Sequence, residues 1–236
     1  MTPPVSEVKV AIIGGGPAGL MAAETLARAG IAATIFEAMP TPARKLLMAG
    51  KSGLNITHSE DLDVFLSRYG AGQRGLQDAV AAFPPATVRA WAEGLGSATF
   101  IGSSGRVFPE VFKASPLLRA WLARLDHAGV TLHGRHRWTG WSADGDHVFD
   151  TPEGVIHVRA EATLFALGGT SWPRLGGNGN WIDAFQKAGV AIAPFKAANC
   201  GFNSGWSDFF RTRFAGAPVK NVRLSHKGQT VQGDFV

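Results

Sequence analysis

The chain has 236 residues, of which 45% are hydrophobic and 17% charged, a balance typical of a folded globular protein and not of a disordered one. A single cysteine, Cys200, excludes an internal disulfide, a C-x-x-C redox pair and a cysteine-rich metal site. We therefore predict no metal centre, and we expect Cys200 to be a small buried residue. The sequence shows neither a signal-peptide pattern nor a long uninterrupted apolar segment, so we expect a cytoplasmic protein without a membrane partner.

The formal net charge of +5 is spread along the chain. Its densest basic run is the short HGRHRW at residues 133–138. Because no long Lys/Arg stripe is present, the charge does not indicate a nucleic-acid partner.

The first elements predict a βαβ unit. VKVAII, residues 8–13, is a β-branched run typical of a strand buried on both faces. A helix is predicted over residues 20–29 and closes at Gly30. IAATIFE, residues 31–37, is a second buried strand that ends in an acid.

The turn between this strand and helix, GGGPAG at residues 14–19, matches G-x-G-x-x-G. Gly14 allows the tight turn, Gly16 allows close backbone approach to a pyrophosphate, and Gly19 allows close helix–strand packing. The helix N-terminus offers free N–H groups to the phosphates. Glu37, placed after the next strand, can accept hydrogen bonds from a ribose hydroxyl and disfavours NADP. The pattern therefore predicts a dinucleotide site, with a nicotinamide or a flavin dinucleotide as its ligand.

The remaining sequence predicts a helical insertion followed by β structure. Residues 39–55 are interpreted as a loop in which Arg44 and Lys45 can meet phosphate charge, and residues 101–110 as another loop. Ser115 is predicted to cap an amphipathic helix with Pro116 at its first position. Further helices are predicted over residues 59–69, 73–83, 85–95 and 181–188. Strands are predicted near residues 130–141, as a hairpin over 147–160, over 162–167, and as short segments and a hairpin beyond 194.

These elements indicate an α/β fold. Residues 1–192 are predicted to form a Rossmann-like domain with a parallel sheet, a helical insertion and a β-hairpin. Residues 193–236 are predicted to begin a β-rich second domain. The sequence supports no separate NAD(P)H domain and singles out no catalytic acid or base.

Several motifs carry a more specific resemblance. ARKLLMAGKSGLNITHSE, GSSGRVFPEVFKASPLLRAWL, ALGGTSWPRLGGNGNW and AANCGF, together with GGGPAG and Glu37, resemble a bacterial family of aminoacetone oxidase-type, FAD-dependent (NAD(P)/FAD-dependent) oxidoreductases. The family lies among the flavoproteins with two dinucleotide-binding domains. The resemblance implies FAD as cofactor and a small-molecule substrate, which the sequence does not identify. It also implies that relatives continue well beyond Val236, so the chain is expected to be truncated at its C-terminal end.

The resemblance also implies positions for the cofactor. The glycine turn would bind the pyrophosphate, the Gly50–Asn55 loop would approach the flavin, and the strand near Trp138 would flank the adenine. Gly168 and Gly169 would close over the cofactor. Independently of the resemblance, the position of Trp172 in the following glycine-rich loop leads us to expect it near the cofactor. The predicted cofactor-binding residues are Gly14, Gly15, Gly16, Pro17, Ala18, Gly19, Glu37, Arg44, Lys45, Gly50, Asn55, Trp138, Gly168 and Gly169.

The sequence therefore predicts FAD-dependent oxidoreduction of a small organic substrate. Three alternatives remain open at this point: a truncated, non-catalytic remnant that binds FAD weakly or not at all, an RNA-associated flavoprotein, and a dehydrogenase that uses NAD alone. The substrate, the electron acceptor and the oligomeric state are not determined by the sequence.

Overall fold

The computed structural model describes residues 5–51, 53–196 and 204–235. The chain divides into two compact units, Met1–Phe195 and Lys196–Val236. Cys200 and the whole AANCGF motif lie outside the described residues, so the expectation that Cys200 is buried stays a prediction.

The described residues contain eight α-helices and eleven strands. The strands are β1 (Val5–Ile13), β2 (Ala33–Phe36), β3 (Thr57–His58), β4 (Thr99–Ile101), β5 (Arg106–Pro109), β6 (Thr131–His133), β7 (Arg137–Trp141), β8 (His147–Thr151), β9 (Gly154–Phe165), β10 (Val219–His226) and β11 (Gln229–Phe235). The helices are α1 (Pro17–Arg28), α2 (Arg44–Ala49), α3 (Leu62–Ser67), α4 (Gln73–Ala82), α5 (Pro85–Gly94), α6 (Ala114–His127), α7 (Trp181–Lys187) and α8 (Asp208–Phe214). Within the described ranges, none of these helices has the length and hydropathy needed to cross a membrane.

The central sheet of the larger unit has the strand order β6-β2-β1-β9-β8-β7. Strands β6, β2, β1 and β9 run parallel, whereas β8 and β7 add an antiparallel edge. The chain winds from β1 to β2 and β6 on one side, and β9 lies on the other side of β1. Ligands of such sheets bind outside the carboxyl ends of the strands, at the point where the winding reverses. The topology confirms the predicted α/β fold. It also predicts a ligand-binding site at the carboxyl ends of β1 and β9.

The two faces of β1 belong to separate hydrophobic clusters. On one face Ile12 lies in a cluster with Leu20 of α1 and Trp121 of α6. On the other face Ile13 lies in a cluster with Phe36 and Phe149. Because successive side chains of a strand point to opposite faces, one strand supplies both clusters. Each of these side chains is at most 3% exposed, so the carboxyl end of β1 is buried on both faces, as predicted, whereas Val5–Glu7 and Lys9 are exposed.

The βαβ unit, the helices at α4, α5 and α7 and the hairpin β10–β11 are confirmed. Two segments predicted as loops contain regular structure instead. Helix α2 lies inside the predicted 39–55 loop, because the run RKLLMA is composed of good helix formers between Ala43 and Gly50. The predicted 101–110 loop contains β5, which pairs with β4 and β3. Buried Val107 and the stacking of Phe100 on Phe108, at 5.8 Å, explain this pairing.

Three further predictions are wrong in detail. Helix α6 begins at Ala114 without a side-chain cap, so Ser115 is not the N-cap and Pro116 lies inside the first turn, where its missing N–H is unused anyway. The second strand of the hairpin predicted over 147–160 and the strand predicted over 162–167 form one long strand, β9. They are continuous because β1, along its whole length from Val5 to Ile13, pairs with β9. Helix α8 replaces a predicted β segment, and the Ser207 hydroxyl accepts a hydrogen bond from the Phe210 N–H at 3.2 Å.

Glu24 is a buried carboxylate at the contact of α1, α5 and α6. Its Oε2 accepts hydrogen bonds from the indole N–H groups of Trp91 at 3.0 Å and Trp121 at 2.7 Å. Its Oε1 accepts from Arg124 at 3.0 Å and from Arg28. Burial alone would raise the pKa of Glu24, but these hydrogen bonds and the charge of Arg28 outweigh burial and hold the pKa below its ordinary value. An ionised carboxylate therefore joins three helices.

His147 lies buried between two partners on neighbouring strands. The Trp138 indole N–H donates to His147 Nδ1 at 3.2 Å, and His147 Nε2 lies 2.7 Å from the Thr163 hydroxyl. An accepting Nδ1 requires the neutral ring with its proton on Nε2. Burial lowers the pKa of His147 against the opposing charge of Asp146, which agrees with a neutral ring.

Replacing Glu24 with Ala should lower the free energy of unfolding by about 2–5 kcal/mol, because it removes an acceptor from two indole N–H groups, that of buried Trp121 among them, and from two guanidinium groups. Thermal unfolding followed by circular dichroism measures the change. The matched control is Glu161→Ala, which breaks the exposed Lys9–Glu161 ion pair and should cost less than about 1 kcal/mol. Equal losses in the two variants would contradict a structural role for the buried carboxylate.

The stability of the protein should fall as the pH drops below about 6.5, the ordinary pKa of histidine. The unfolded chain then binds a proton that folded His147 does not bind, so the unfolded state is favoured as the pH falls. Urea denaturation between pH 8 and pH 5 should show a shallower dependence in His147→Gln than in the unmodified protein. Some dependence should remain, because burial and the neighbouring His136 also lower the pKa of His133. Identical slopes in the two proteins would overturn this expectation.

Candidate dinucleotide-binding cleft

A cleft of about 640 Å³ lies at the carboxyl ends of β1, β2 and β9. Its walls are the glycine turn, the first turn of α1, the start of α2, the beginning of β7 and the loop that precedes α7. The structure therefore brings together segments that are more than 150 residues apart in the sequence. This is the edge of the sheet at which the strand order predicts a ligand.

Close backbone contacts leave room only for glycine at positions 14 and 19. Gly14 has a φ of +111°, and a Cβ added to it would lie 2.3 Å from the carbonyl oxygen of Ala166. A Cβ added to Gly19 would lie 1.9 Å from the carbonyl oxygen of Gly14. The two glycines thus allow β9 and α1 to approach the end of β1, as the motif predicts.

Gly16 serves a different purpose. A Cβ added to Gly16 would meet no atom of the described residues within 4 Å, its two chain neighbours apart, and the φ of −78° at Gly16 is available to any residue. Gly16, Pro17 and Ala18 line the cleft at the N-terminus of α1, which no described side chain caps. The first N–H groups of a helix lack intrahelical partners and attract anions. The space at Gly16 is therefore a cradle that faces the cleft.

Glu37 connects the two loops that border the cleft. Its Oε2 accepts a hydrogen bond from the Gly15 N–H at 2.7 Å, and its Oε1 accepts from the Met39 N–H at 2.7 Å. Each carboxylate oxygen can accept a second hydrogen bond, so the side chain can hold the loops and still receive a ligand hydroxyl. Glu37 lines the cleft, where the nearby cations are Arg44, Lys45 and Arg137.

Lys45 reaches the glycine-rich loop on the opposite side of the cleft. Its Nζ lies 3.5 Å from the carbonyl oxygen of Ser171. A Cβ added to Gly177 would lie 2.5 Å from this Nζ, and one added to Gly168 would lie 3.5 Å from it. The loop glycines therefore leave room for the ammonium group beside the cleft.

Aromatic rings form the apolar part of the wall. Trp138 lies 5.1 Å from Phe165 with its ring tilted by 62°, and Phe36 stacks on His133 at 5.5 Å. His133 contacts His136, whose ring lies at the cleft, at a centroid distance of 5.0 Å. Burial lowers the pKa of His133, and the neighbouring His136 adds to this effect, so His133 is an uncharged ring packed against the lining residues Phe36 and His136 at neutral pH.

Most of the predicted cofactor-binding residues line this cleft. They are Gly14, Gly16, Pro17, Ala18, Glu37, Arg44, Lys45, Trp138 and Gly168. Gly15 and Gly19 support the turn through the contacts given above. Gly169, whose added Cβ would lie 3.8 Å from Phe195, and Trp172, which is 51% exposed, are not among the lining residues.

Two residues of the predicted flavin-side loop, Gly50 and Asn55, are not among the residues that line the cleft. Gly50 lines a second cavity and packs against Ala114. The Asn55 side chain donates to the carbonyl oxygens of Thr57 at 2.9 Å and Val107 at 3.2 Å, so it joins the ends of β3 and β5. In the described structure these two residues stabilise the loop and do not border the cleft.

The cleft also has lining residues that the sequence patterns did not predict, among them His136, Arg137, Asn178 and Trp181. A signal for the first two was present. They lie three and four residues after the end of β6, which is parallel to β2, and residues after the carboxyl ends of parallel strands share one edge of the sheet. The basic run HGRHRW thus contributes two residues to the cleft.

The spacing G-x-G-x-x-G also occurs at Gly70, Gly72 and Gly75, where it does not form a comparable site. Helix α3 precedes this second match instead of a strand, and the last three residues of the match already belong to α4. An added Cβ would meet nothing within 4 Å at any of the three glycines. The spacing indicates a nucleotide site only where a strand and a helix meet closely.

No group of three or more His, Cys, Asp or Glu side chains in the described ranges is arranged to hold a metal ion.

Comparison with known proteins yields one family and several similar folds. The sequence profile of the HI0933-like protein Rossmann domain matches residues 8–230. A flavocytochrome c3 fumarate reductase in its open conformation is 16% identical, with a TM-score of 0.60 over 79% of this chain and 41% of that chain. The 3-ketosteroid-Δ4-(5α)-dehydrogenase of Rhodococcus jostii RHA1 is 15% identical, with a TM-score of 0.60 over 79% and 55%. The quinol fumarate reductase FrdA of E. coli is 16% identical, with a TM-score of 0.55 over 70% and 33%.

At these identities the similarity shows the fold alone. The matched region spans between 33% and 55% of the length of these three proteins. The shared region includes most of this chain. Each of the three proteins contains further sequence to which this chain has no match.

Substitution of Gly19 by Ala should destabilise the protein by about 1–3 kcal/mol, because the new methyl group would overlap a backbone oxygen that cannot move freely. Gly16→Ala is the matched control in the same turn and should leave the unfolding temperature unchanged, because its methyl group enters open space. Differential scanning calorimetry of the ligand-free protein measures both. Equal losses for the two variants would contradict the separate tasks assigned to these glycines.

Proposed function

The chain belongs to the HI0933-like Rossmann domain family, a FAD-binding family among the NAD(P)/FAD oxidoreductases, and on this premise we propose that it binds FAD in the cleft and carries out FAD-dependent oxidoreduction of a small organic molecule. The family assignment confirms the resemblance that the motifs indicate. When bound, FAD supplies the two-electron chemistry itself, and the protein contributes binding, orientation and a suitable electrostatic environment.

The open position at Gly16 is the observation that carries the proposal. The described protein atoms leave this position free, and substituting Ala there would not conflict with the fold. The fold therefore does not explain the glycine, whereas a pyrophosphate against the uncapped N-terminus of α1 explains it. The cations Arg44 and Lys45 line the same cleft and complement the charge of a diphosphate.

The residues on the two sides of the glycine turn fit the two halves of a dinucleotide. On the side of β2, the Glu37 carboxylate would accept a ribose hydroxyl, and His136 and Arg137 would border the adenine together with Trp138. On the other side, Lys45 and Gly168 would border the flavin half. A carboxylate at Glu37 would repel a 2′-phosphate, so these residues favour FAD or NAD over NADP.

The connection after β2 favours FAD over NAD. A Rossmann domain that binds only NAD continues with alternating strands and helices. Here α2 and a helical insertion follow β2, and α2 carries Arg44 and Lys45 into the cleft. The similar folds of the fumarate reductases and the ketosteroid dehydrogenase agree with an oxidoreductase built on this arrangement.

The identity of the nucleotide can be tested on the purified 236-residue protein. We expect a flavin absorption spectrum and release of FAD on heat denaturation, identified by chromatography against FAD, FMN and NAD. Release of NAD instead would identify a dehydrogenase, and a colourless protein that takes up no added FAD would contradict the proposal. Binding to RNA with a steep salt dependence would favour the RNA-associated alternative.

Gly16→Ala should weaken FAD binding at least about tenfold, a loss of about 1.4 kcal/mol, because the methyl group would occupy the position of closest approach to the pyrophosphate. Fluorescence titration of the ligand-free protein with FAD measures the affinity. The matched control is Gly75→Ala, a glycine in α4 whose added Cβ also meets open space. Similar affinities of the two variants would place the nucleotide elsewhere.

A further inference from the structure

A second cavity, of about 540 Å³, adjoins the dinucleotide-binding cleft. The two share Thr41, Arg44 and Leu175 as lining residues. The second cavity lies between helix α2 and the first turn of α6. The proposed function does not use it.

A close contact between the two helices creates this cavity. A Cβ added to Gly50 would lie 2.5 Å from the Ala114 Cβ and 3.0 Å from the Ala114 nitrogen. The glycine that ends α2 therefore lies directly against the first residue of α6. This contact brings Lys51, which follows Gly50, and Lys113, which precedes Ala114, to the same cavity.

The charges on the cavity are all of one sign. Arg44, Lys51 and Lys113 line it, and the described lining residues include no Asp or Glu. None of the three forms an ion pair with any residue in the described ranges. The hydroxyl groups of Thr41 and Ser115 add hydrogen-bond donors. Like charges that share a cavity repel one another, and a bound anion relieves this repulsion.

We propose that this cavity binds the anionic group, a phosphate or a carboxylate, of a small organic substrate. The lining of the cleft combines cations with the Glu37 carboxylate, which can accept a hydrogen bond from a ribose hydroxyl. The polar side chains that line the described part of the second cavity are cations and hydroxyl groups, without a carboxylate. That the anion belongs to a substrate rests on the proposed function, because the two cavities adjoin at Arg44. The substrate class is then a small organic anion, held by its charged group beside the FAD-binding cleft.

The test uses the full chain, first without FAD and then loaded with FAD. Inorganic phosphate and acetate are titrated at constant ionic strength, and the rate at which each lysine is acetylated is followed by mass spectrometry. We expect at least one of the two anions to protect Lys51 and Lys113 saturably in both forms. Lys187, an exposed lysine of α7, should react at an unchanged rate.

A double substitution provides the quantitative measure. Lys51→Gln combined with Lys113→Gln should weaken binding of the protecting anion at least about tenfold, measured by calorimetric titration, because charge-assisted hydrogen bonds are lost. Lys187→Gln removes a charge elsewhere and should leave the affinity unchanged. An equal effect of the two changes would show a general electrostatic attraction and would overturn the proposal.

The remaining outcomes are distinct. Failure of both anions to protect the two lysines would overturn the proposal. Protection that disappears once FAD is loaded would also overturn it, because the cations would then serve the phosphates of FAD, although the proposed function would stand. A protein that takes up no FAD refutes the proposed function and the substrate assignment, and the ligand-free titration still decides whether the cavity binds anions.

Discussion

The contact between backbones at the end of β1 is the constraint on which the cleft depends. Gly14 lies against Ala166, the residue that follows β9, on one side and against Gly19 of α1 on the other, with no room for a Cβ at either glycine. The Gly14 N–H donates to the Phe36 carbonyl at 2.8 Å, and the Ala166 N–H donates to the Ile13 carbonyl at 2.8 Å. Three parallel strands and a helix N-terminus therefore meet at one point, and every residue proposed to bind the dinucleotide is arranged around it.

The polar groups of the larger unit combine structural and ligand-facing roles. Glu37 holds two loops through backbone N–H groups while its carboxylate lines the cleft. Glu24 has only a structural role, since its oxygens are occupied by indole and guanidinium donors of α1, α5 and α6. Because Glu24 holds the middle of α6 and the Gly50–Ala114 contact holds its start, α6 forms a firm wall for the second cavity.

Local sequence patterns predicted the framework well. The β-branched run before the glycine turn, the helix after it and the acid after the next strand follow from periodicity and backbone geometry, which act over a few residues. The elements that were missed depend on distant partners. Strand β5 is stabilised by pairing with β3 and β4, and the continuity of β9 is imposed by β1, so their segments resemble loops or separate strands when read alone.

The sequence by itself determined the parallel α/β framework, the glycine turn and its acid, and nine of the residues that line the cleft. Only the tertiary structure decided that Asn178 and Trp181 join them, because the pairing of β9 with β1 brings the segment that follows β9 to the same edge of the sheet. It also decided that the same glycine spacing is a cradle at residues 14–19 and a 3₁₀ turn leading into α4 at residues 70–75. Spacing is a local property, whereas a binding site requires a strand, a helix and a neighbouring strand to meet at the same point.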